Sequence, residues 1–313
     1  MPGLPLPDVE RATTVVPAPA AGPGNWSGAP SAVLAEDGTF WLAYRVRRPL
    51  DAGRGVTVVL ARSADGVAFT PVGELARHAF GAASLERPAL VHRPDGGWRL
   101  YLSCAAHGSK HWWIDALDAA SVEALPDATP MSVLPGDVRT AVKDPVVTVD
   151  AAGWHLWVCC HPLDRPGHED RMTSWYGTSP DGLRWRLKGP VLVPRPGGGW
   201  DRRGTRITTV FSGPVPGVLY DGRASAAENW AERTGVAVRD GDGHYLPAGS
   251  APAARSPHGS GALRYVSAVP LPDGGHRLFF EAARPDGAHD LMTQVIPPLT
   301  GGPEERPTGR RPC

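Results

Sequence analysis

The chain has 313 residues, and its 32 Lys and Arg balance 32 Asp and Glu, so the formal net charge is zero. That argues against a nucleic-acid partner held by a concentrated positive surface. Its 38 Gly and 34 Pro exclude a helical bundle, because both residues oppose helix interiors, and no run of 18 apolar residues predicts a membrane-spanning helix.

From the N-terminus, MPGLPLPDVERATT has neither a basic nor an apolar region of a secretory signal, so a cytoplasmic location is expected. Cys104, Cys159, Cys160 and Cys313 lack a Cys-x-x-Cys spacing, which predicts free, buried thiols in a reducing compartment.

A unit then recurs five times: a short strand, a Gly-containing turn, and a second strand rich in Trp, Tyr, Phe and Leu. Unit one runs Gly28-Ala29-Pro30-Ser31-Ala32-Val33, turns at Asp37-Gly38, and ends FWLAYR at Arg45. A strand VTVVLA and a Ser-x-Asp-Gly turn from Ser63 to Gly66 follow. Unit two runs Glu86-Arg87-Pro88-Ala89-Leu90-Val91, turns at Asp95-Gly96, and continues as WRLYLS to Ser103 and then WWIDAL. Unit three runs Lys143-Asp144-Pro145-Val146-Val147, turns near Gly153, and continues as WHLWVCCH to His161, with a second Ser-x-Asp-Gly turn from Ser179 to Gly182. Unit four runs Thr205-Arg206-Ile207-Thr208-Thr209-Val210, turns near Gly217, and continues as VLYDGR to Arg223 and then RTGVAV. Unit five runs Tyr265-Val266-Ser267-Ala268-Val269, turns at Asp273-Gly274, and continues as HRLFFE to Glu281 and then DLMTQV.

Positions 30, 88, 145, 207 and 267 lie 58, 57, 62 and 60 residues apart. That period predicts an all-β fold, a five-bladed β-propeller with four-stranded antiparallel blades around a central channel. One domain would span residues 1–297, with inner strands starting near 29, 87, 144, 206 and 266. The fifth unit lacks an outer strand, so the segment Thr13 to Val16 is expected to close the ring. Residues 298–313, ending GGPEERPTGRRPC, are expected to be a disordered tail.

Lys143-Asp144-Pro145, Glu86-Arg87-Pro88 and the two Ser-x-Asp-Gly-x-x-aromatic turns make the chain resemble the five-bladed propeller glycosidases. These are the family 43 arabinosidases and xylosidases, their family 32, 68, 117 and 130 relatives, and glycosidase-like proteins of actinobacteria. The resemblance covers roughly residues 25 to 297. It implies a pocket where the inner strands begin, with a general-base Asp in blade one, a pKa-setting Asp in blade three and a general-acid Glu in blade four. Asp144 matches the blade-three Asp; Ala29 stands at the blade-one position, and Thr205 or Arg206 at the blade-four position. Glycoside hydrolysis usually needs two carboxyl groups flanking the bond, so that mechanism cannot be copied onto this chain.

Candidates for catalysis are Asp144, Glu86, Glu281 and His161, the last because its ordinary pKa lies near neutrality. Arg87, Lys143, Arg206 and Arg223 either neutralise these carboxylates or form an anion site for a uronic acid or sugar phosphate. Asp221, Tyr265, Asn25 and Trp26 complete the expected substrate contacts, Trp26 as a stacking platform for a sugar ring. Asp201 is read as a turn cap, Trp41 as packing between blades, and Arg45, Arg47, Glu228 and Asn229 as rim residues. No ligand set predicts a transition metal, and no cofactor is expected, with a structural Ca²⁺ in the channel left open. Three functions compete: an enzyme acting on a small sugar-containing substrate by non-standard acid/base chemistry, a glycosidase-derived tailoring enzyme, and a non-catalytic sugar-binding module.

Overall fold

The computed structural model describes residues 3–195, 197, 199–212 and 216–298, so Cys313 and nearly all of the expected tail lie outside the described residues. The described chain is all-β apart from short 3-10 turns, and no helix in it is long and apolar enough to cross a membrane. After β1 (Thr13–Val16), the strands fall into five antiparallel groups. Unit one holds β2 (Trp26–Leu34), β3 (Phe40–Arg47), β4 (Gly55–Ser63) and β5 (Thr70–Ala76). Unit two holds β6 (Ser84–His92), β7 (Trp98–Ala105), β8 (Trp112–Ala119) and β9 (Met131–Leu134). Unit three holds β10 (Thr140–Asp150), β11 (Gly153–Pro162), β12 (Thr173–Ser179) and β13 (Arg186–Leu192). Unit four holds β14 (Gly204–Phe211), β15 (Gly217–Arg223), β16 (Arg233–Arg239) and β17 (Tyr245–Ala248). Unit five holds β18 (Leu263–Pro270), β19 (His276–Ala283) and β20 (His289–Ile296), and β1 pairs antiparallel with β20 as its fourth strand. A single parallel bridge, Trp26 to His289, joins units one and five into one continuous sheet.

Strand alternation sends successive side chains to opposite faces, so each second strand feeds two cores. In β3, Phe40, Leu42 and Tyr44 pack with Phe279 and Leu291 of unit five, while Ala43 packs with Leu100 and Leu102 of unit two. Tyr101 and Ile114 of unit two meet Leu156 and Val158 of unit three. Leu192 of unit three meets Val218 and Tyr220 of unit four, and Leu219 of unit four meets Leu278 and Phe280 of unit five. The apolar clusters therefore run from each unit to the next and back to the first, an arrangement consistent with a propeller. Trp41 lies in the layer between units one and two, edge-on to Trp98 with ring centroids 5.8 Å apart. In the two Ser-x-Asp-Gly turns, Asp65 and Asp181 each accept two main-chain N–H bonds, from Val67 and Ala68 and from Leu183 and Arg184.

The innermost strands begin two to four residues before the expected positions, at Trp26, Ser84, Thr140, Gly204 and Leu263. The ladder continues past a β-bulge near the head of each strand. In four units the register shift falls between Gly28 and Ser31, Leu85 and Pro88, Lys143 and Val146, and Arg264 and Ser267; in unit four it falls between Ile207 and Thr209. A bulge inserts one residue against its partner strand and re-aims the side chains there.

Candidate functional site

The bulges place Ala29, Glu86, Asp144 and Tyr265 at one shared position, the first residue after the last regular pair. Three of the four have left-handed backbone: φ is 50° at Ala29, 55° at Asp144 and 57° at Tyr265. Above them opens a cavity of about 320 Å³, lined by Arg45, Glu86, Lys143, His161, Arg206, Arg223, Glu232, Arg264 and Tyr265 among others.

A continuous ion-pair network underlies the cavity. Arg45 bonds Glu86, and its other terminal nitrogen lies 2.9 Å from Glu281. Arg264, opposite Glu281 in the β18–β19 ladder, lies 2.8 Å from that carboxylate and 2.7 Å from Glu232. Arg223 reaches Glu232 at 2.9 Å. Arg206, opposite Asp221 in its own ladder, donates to Asp221 at 2.6 Å and to Asp144 at 2.9 Å. Its guanidinium carbon also sits 3.9 Å from the Tyr265 ring centre, a close cation–π contact. Lys143 stands 3.5 Å from Asp144. Buried charges are tolerable only when paired in this way.

The network fixes protonation. Burial opposes ionisation of Glu86, Glu232 and Glu281, but the neighbouring guanidiniums outweigh it and hold all three below the usual carboxylate range. Asp144 is likewise lowered, burial being overcome by Lys143 and Arg206. Asp221 behaves oppositely: burial dominates Arg206 and raises it to about 6. Burial, with Lys143 and Arg223, lowers His161 to about 3.

Of the residues expected from sequence, Glu86, Lys143, His161, Arg206, Arg223 and Tyr265 are brought together along the cavity wall. Asp144, Asp221 and Glu281 are fully buried behind it, each on a cavity arginine. Of the two catalytic roles open to a histidine, acid or base, the acid role does not fit His161. Its Nδ1 lies 2.8 Å from the Glu169 carbonyl, which only accepts, so Nδ1 carries the hydrogen; Nε2 faces the Cys159 thiol at 3.4 Å, and the ring is neutral near pH 7.

Four further expectations, for Arg87, Trp26, Asn25 and Asp201, are corrected. Arg87 does not share the cavity: the bulge gives that position to Glu86, and a one-residue step reverses the face. Arg87 points into the other half of the channel, donating to the carbonyls of Thr208 at 2.7 Å and Val266 at 3.3 Å. A Ca²⁺ seeking oxygens there would meet this guanidinium, so the residues at that point do not fit a channel calcium. Trp26 is 4% exposed, stacked on His289 at 4.5 Å with Arg47 at 4.0 Å from its ring centre, so it offers no free face to a sugar. Asn25 is buried and donates to the Ala21 carbonyl at 3.0 Å, holding a loop. Asp201 accepts from Tyr220 at 2.6 Å and Arg195 at 2.9 Å, fastening the connection between units three and four to β15 rather than capping a turn.

Sequence reasoning missed Glu232, Arg264 and Trp230. Glu232 sits just before β16 and Arg264 within the head of β18; for Arg264 the available signal was its place opposite Glu281, as Arg206 stands opposite Asp221. Trp230 follows Asn229 on the rim, 36% exposed, with φ of 79°, an uncommon backbone for a bulky side chain. Arg47 lies 4.7 Å from its ring centre and holds it against the rim.

No family model and no curated protein matches the sequence. Solved structures do match in shape. A thermostable family-43 glycoside hydrolase superimposes with a TM-score of 0.67 at 14% identity, over 96% of this chain and 99% of that one. An α-L-arabinofuranosidase from Lactobacillus brevis gives 0.67 at 14%, over 86% and 90%. A structure from the family-130 group, described as mannoside phosphorylases containing glycoside hydrolases that target β-1,2 mannosidic linkages in Candida mannan, gives 0.57 at 15%, over 92% and 95%. At such identities the likeness shows the fold, a glycoside hydrolase-like β-propeller type, and fold does not carry activity with it.

Proposed function

We propose that the chain is a five-bladed propeller enzyme of glycoside hydrolase type, acting on a small sugar-containing substrate in the cavity by non-standard acid/base chemistry. Five four-stranded groups and five apolar layers, each linking one unit to the next, support the blade count. The observation that carries the function is the pair of buried carboxylates, Glu86 from unit two and Glu232 beside unit four, lining one cavity with five arginines. Both are held ionised, which suits the base or electrostatic half of glycoside cleavage. Tyr265 and Lys143 are proton-bearing groups on the same wall, so the acid half falls to a group other than a carboxyl. Asp144 acts from behind, fixing Arg206 and Lys143.

The test is a panel of 4-nitrophenyl glycosides with the parent protein, Glu86→Gln and Asp144→Asn. Each variant should keep its circular dichroism spectrum; Glu86→Gln should lose turnover by about a hundredfold or more, as for a positioned acid or base, and Asp144→Asn should lose it through misplacement of Arg206 and Lys143. The second reading, a propeller that binds sugar without turning it over, is favoured by Glu86 and Glu232 being fully ion-paired. Sugar binding by the parent, with no turnover on any member of the panel, would replace the first reading with the second.

A further inference from the structure

The cations of the cavity fall into two sets. Arg45, Arg206, Arg223 and Arg264 are matched by Glu86, Glu281, Asp144, Asp221 and Glu232. A second set lies on the wall to which units one, two and three contribute: Arg54 and Lys143 flank Trp112, and Lys110 lines the same cavity. The Arg54 guanidinium carbon lies 5.5 Å from the Trp112 ring centre and Lys143 Nζ 4.8 Å from it. Among the described residues, Arg54 and Lys110 make no ion pair. Lys143 has only Asp144, at 3.5 Å, which Arg206 holds more closely at 2.9 Å. Arg54 Nε is buried with no hydrogen-bond partner among the described residues.

The positions of these cations are built. Arg54 has left-handed backbone with φ of 60°, its N–H donates to the Pro49 carbonyl at 3.2 Å, and its carbonyl accepts from Arg48 at 2.8 Å. The loop bearing Lys110 is tied down where the His111 ring meets the Pro135 carbonyl at 2.8 Å. The acids that line the cavity are already bonded: Glu86 to Arg45, and Glu169 to the Gly167 N–H at 2.9 Å. Glu232 is shared by three arginines, and Asp170 is bound to Arg203 at 2.6 Å. Three like charges lining one wall repel one another unless an anion completes them, and a guanidinium beside ammonium groups is the arrangement that holds an oxyanion.

We propose that Arg54, Lys110 and Lys143 form an anion subsite that takes a carboxylate, sulfate or phosphate group carried by the substrate. This rests on the sugar-active reading of the same cavity and narrows it to anionic sugars. The arginines beneath are already neutralised by their partners, so discrimination between charged and neutral sugars resides on this wall.

The experiment is titration calorimetry on the full chain with glucuronate, glucose and sodium sulfate, each at low and at 0.5 M NaCl. Glucuronate should bind at least about tenfold more tightly than glucose, and the preference should shrink at high salt, where exposed charges are screened. The double variant Arg54→Gln/Lys110→Ala should lose about tenfold or more of glucuronate affinity with its unliganded unfolding midpoint unchanged; Arg54→Lys in the otherwise native chain should retain part of it. Sulfate binding that depends on Arg54 and Lys110 identifies the subsite with a tetrahedral oxyanion, and glucuronate binding without it identifies a carboxylate. Glucose and glucuronate binding equally, in parent and double variant alike, would overturn the subsite while leaving the sugar reading intact. Sulfate held through Arg54 and Lys110 with no sugar of either charge bound would keep the subsite and overturn the sugar reading.

Discussion

Ala29 and Asp144 occupy the same place in units one and three. Each follows the last regular pair before a bulge, and each has left-handed backbone, φ being 50° and 55°. Their surroundings differ. Asp144 brings its own carboxylate to Arg206 and Lys143. Ala29 brings none, and the carboxylate beside it comes from unit five: Glu281 Oε2 accepts the Ala29 N–H at 3.2 Å. A Cβ placed on the neighbouring Gly28 would fall 2.1 Å from that same oxygen, so the space is already taken. Tyr265 repeats the conformation with a phenol. Backbone strain is therefore a property of the repeat and not a mark of catalysis at Asp144, since inference from strain to function needs the strain to be local to the site. What distinguishes the units is the charge that fills the bulge.

The comparison breaks or sharpens with variants at the two places. Arg206→Met would leave Asp144 and Asp221 buried without their shared cation, at a cost of about 3–5 kcal/mol, read as the fall in urea unfolding free energy at pH 7. His289→Phe removes one of the three partners of Glu281 beside Ala29 and should cost distinctly less, because Arg45 at 2.9 Å and Arg264 at 2.8 Å remain. Equal losses would show that the carboxylate beside Ala29 is no better supported than that of Asp144.

Ala29→Asp sets a second carboxylate against Glu281 and should destabilise by about 2 kcal/mol at pH 7 through like charge and burial. The new group's folded pKa is raised above its unfolded value of about 3.9. The charge penalty is therefore absent below pH 4 and grows as pH rises through the raised folded value. Unfolding of parent and variant compared at pH 4 and pH 7 checks this; a penalty independent of pH would mean steric crowding instead. The smallest effect is Ala29→Gly. Relief of left-handed strain, set against glycine's larger unfolded entropy, should leave stability within about 1 kcal/mol of the parent. Asp144→Gly should lose several times more, because it also removes an ion-pair partner.

The repeat was legible because its turns are written in Asp-Gly and Ser-x-Asp-Gly, whose side-chain acceptors bond the main chain locally, as at Asp65 and Asp181. The closing strand was legible from the missing outer strand of unit five. The bulge was not. It adds one residue to one strand without any fixed residue type, so aligning the units on Pro88 and Pro145 put Arg87 where Glu86 stands and Val266 where Tyr265 stands. Trp26 misled because burial there comes from residues distant in sequence, His289 and Arg264. Glu232 escaped notice because its partners, Arg223 and Arg264, belong to different units and meet only in the closed ring.

That Thr13–Val16 pairs with β20 has a consequence for synthesis. Asp8, just before this strand, donates to Gln294, 286 residues later. At about 5–20 residues per second a ribosome needs roughly 15 to 60 s to supply that partner. Throughout that wait the segment Thr-Thr-Val-Val is a short β-forming edge with nothing to complete it. Pro17 and Pro19, directly after it, lack the N–H that would let a stray ladder run on, and so shelter the nascent chain until its last unit emerges.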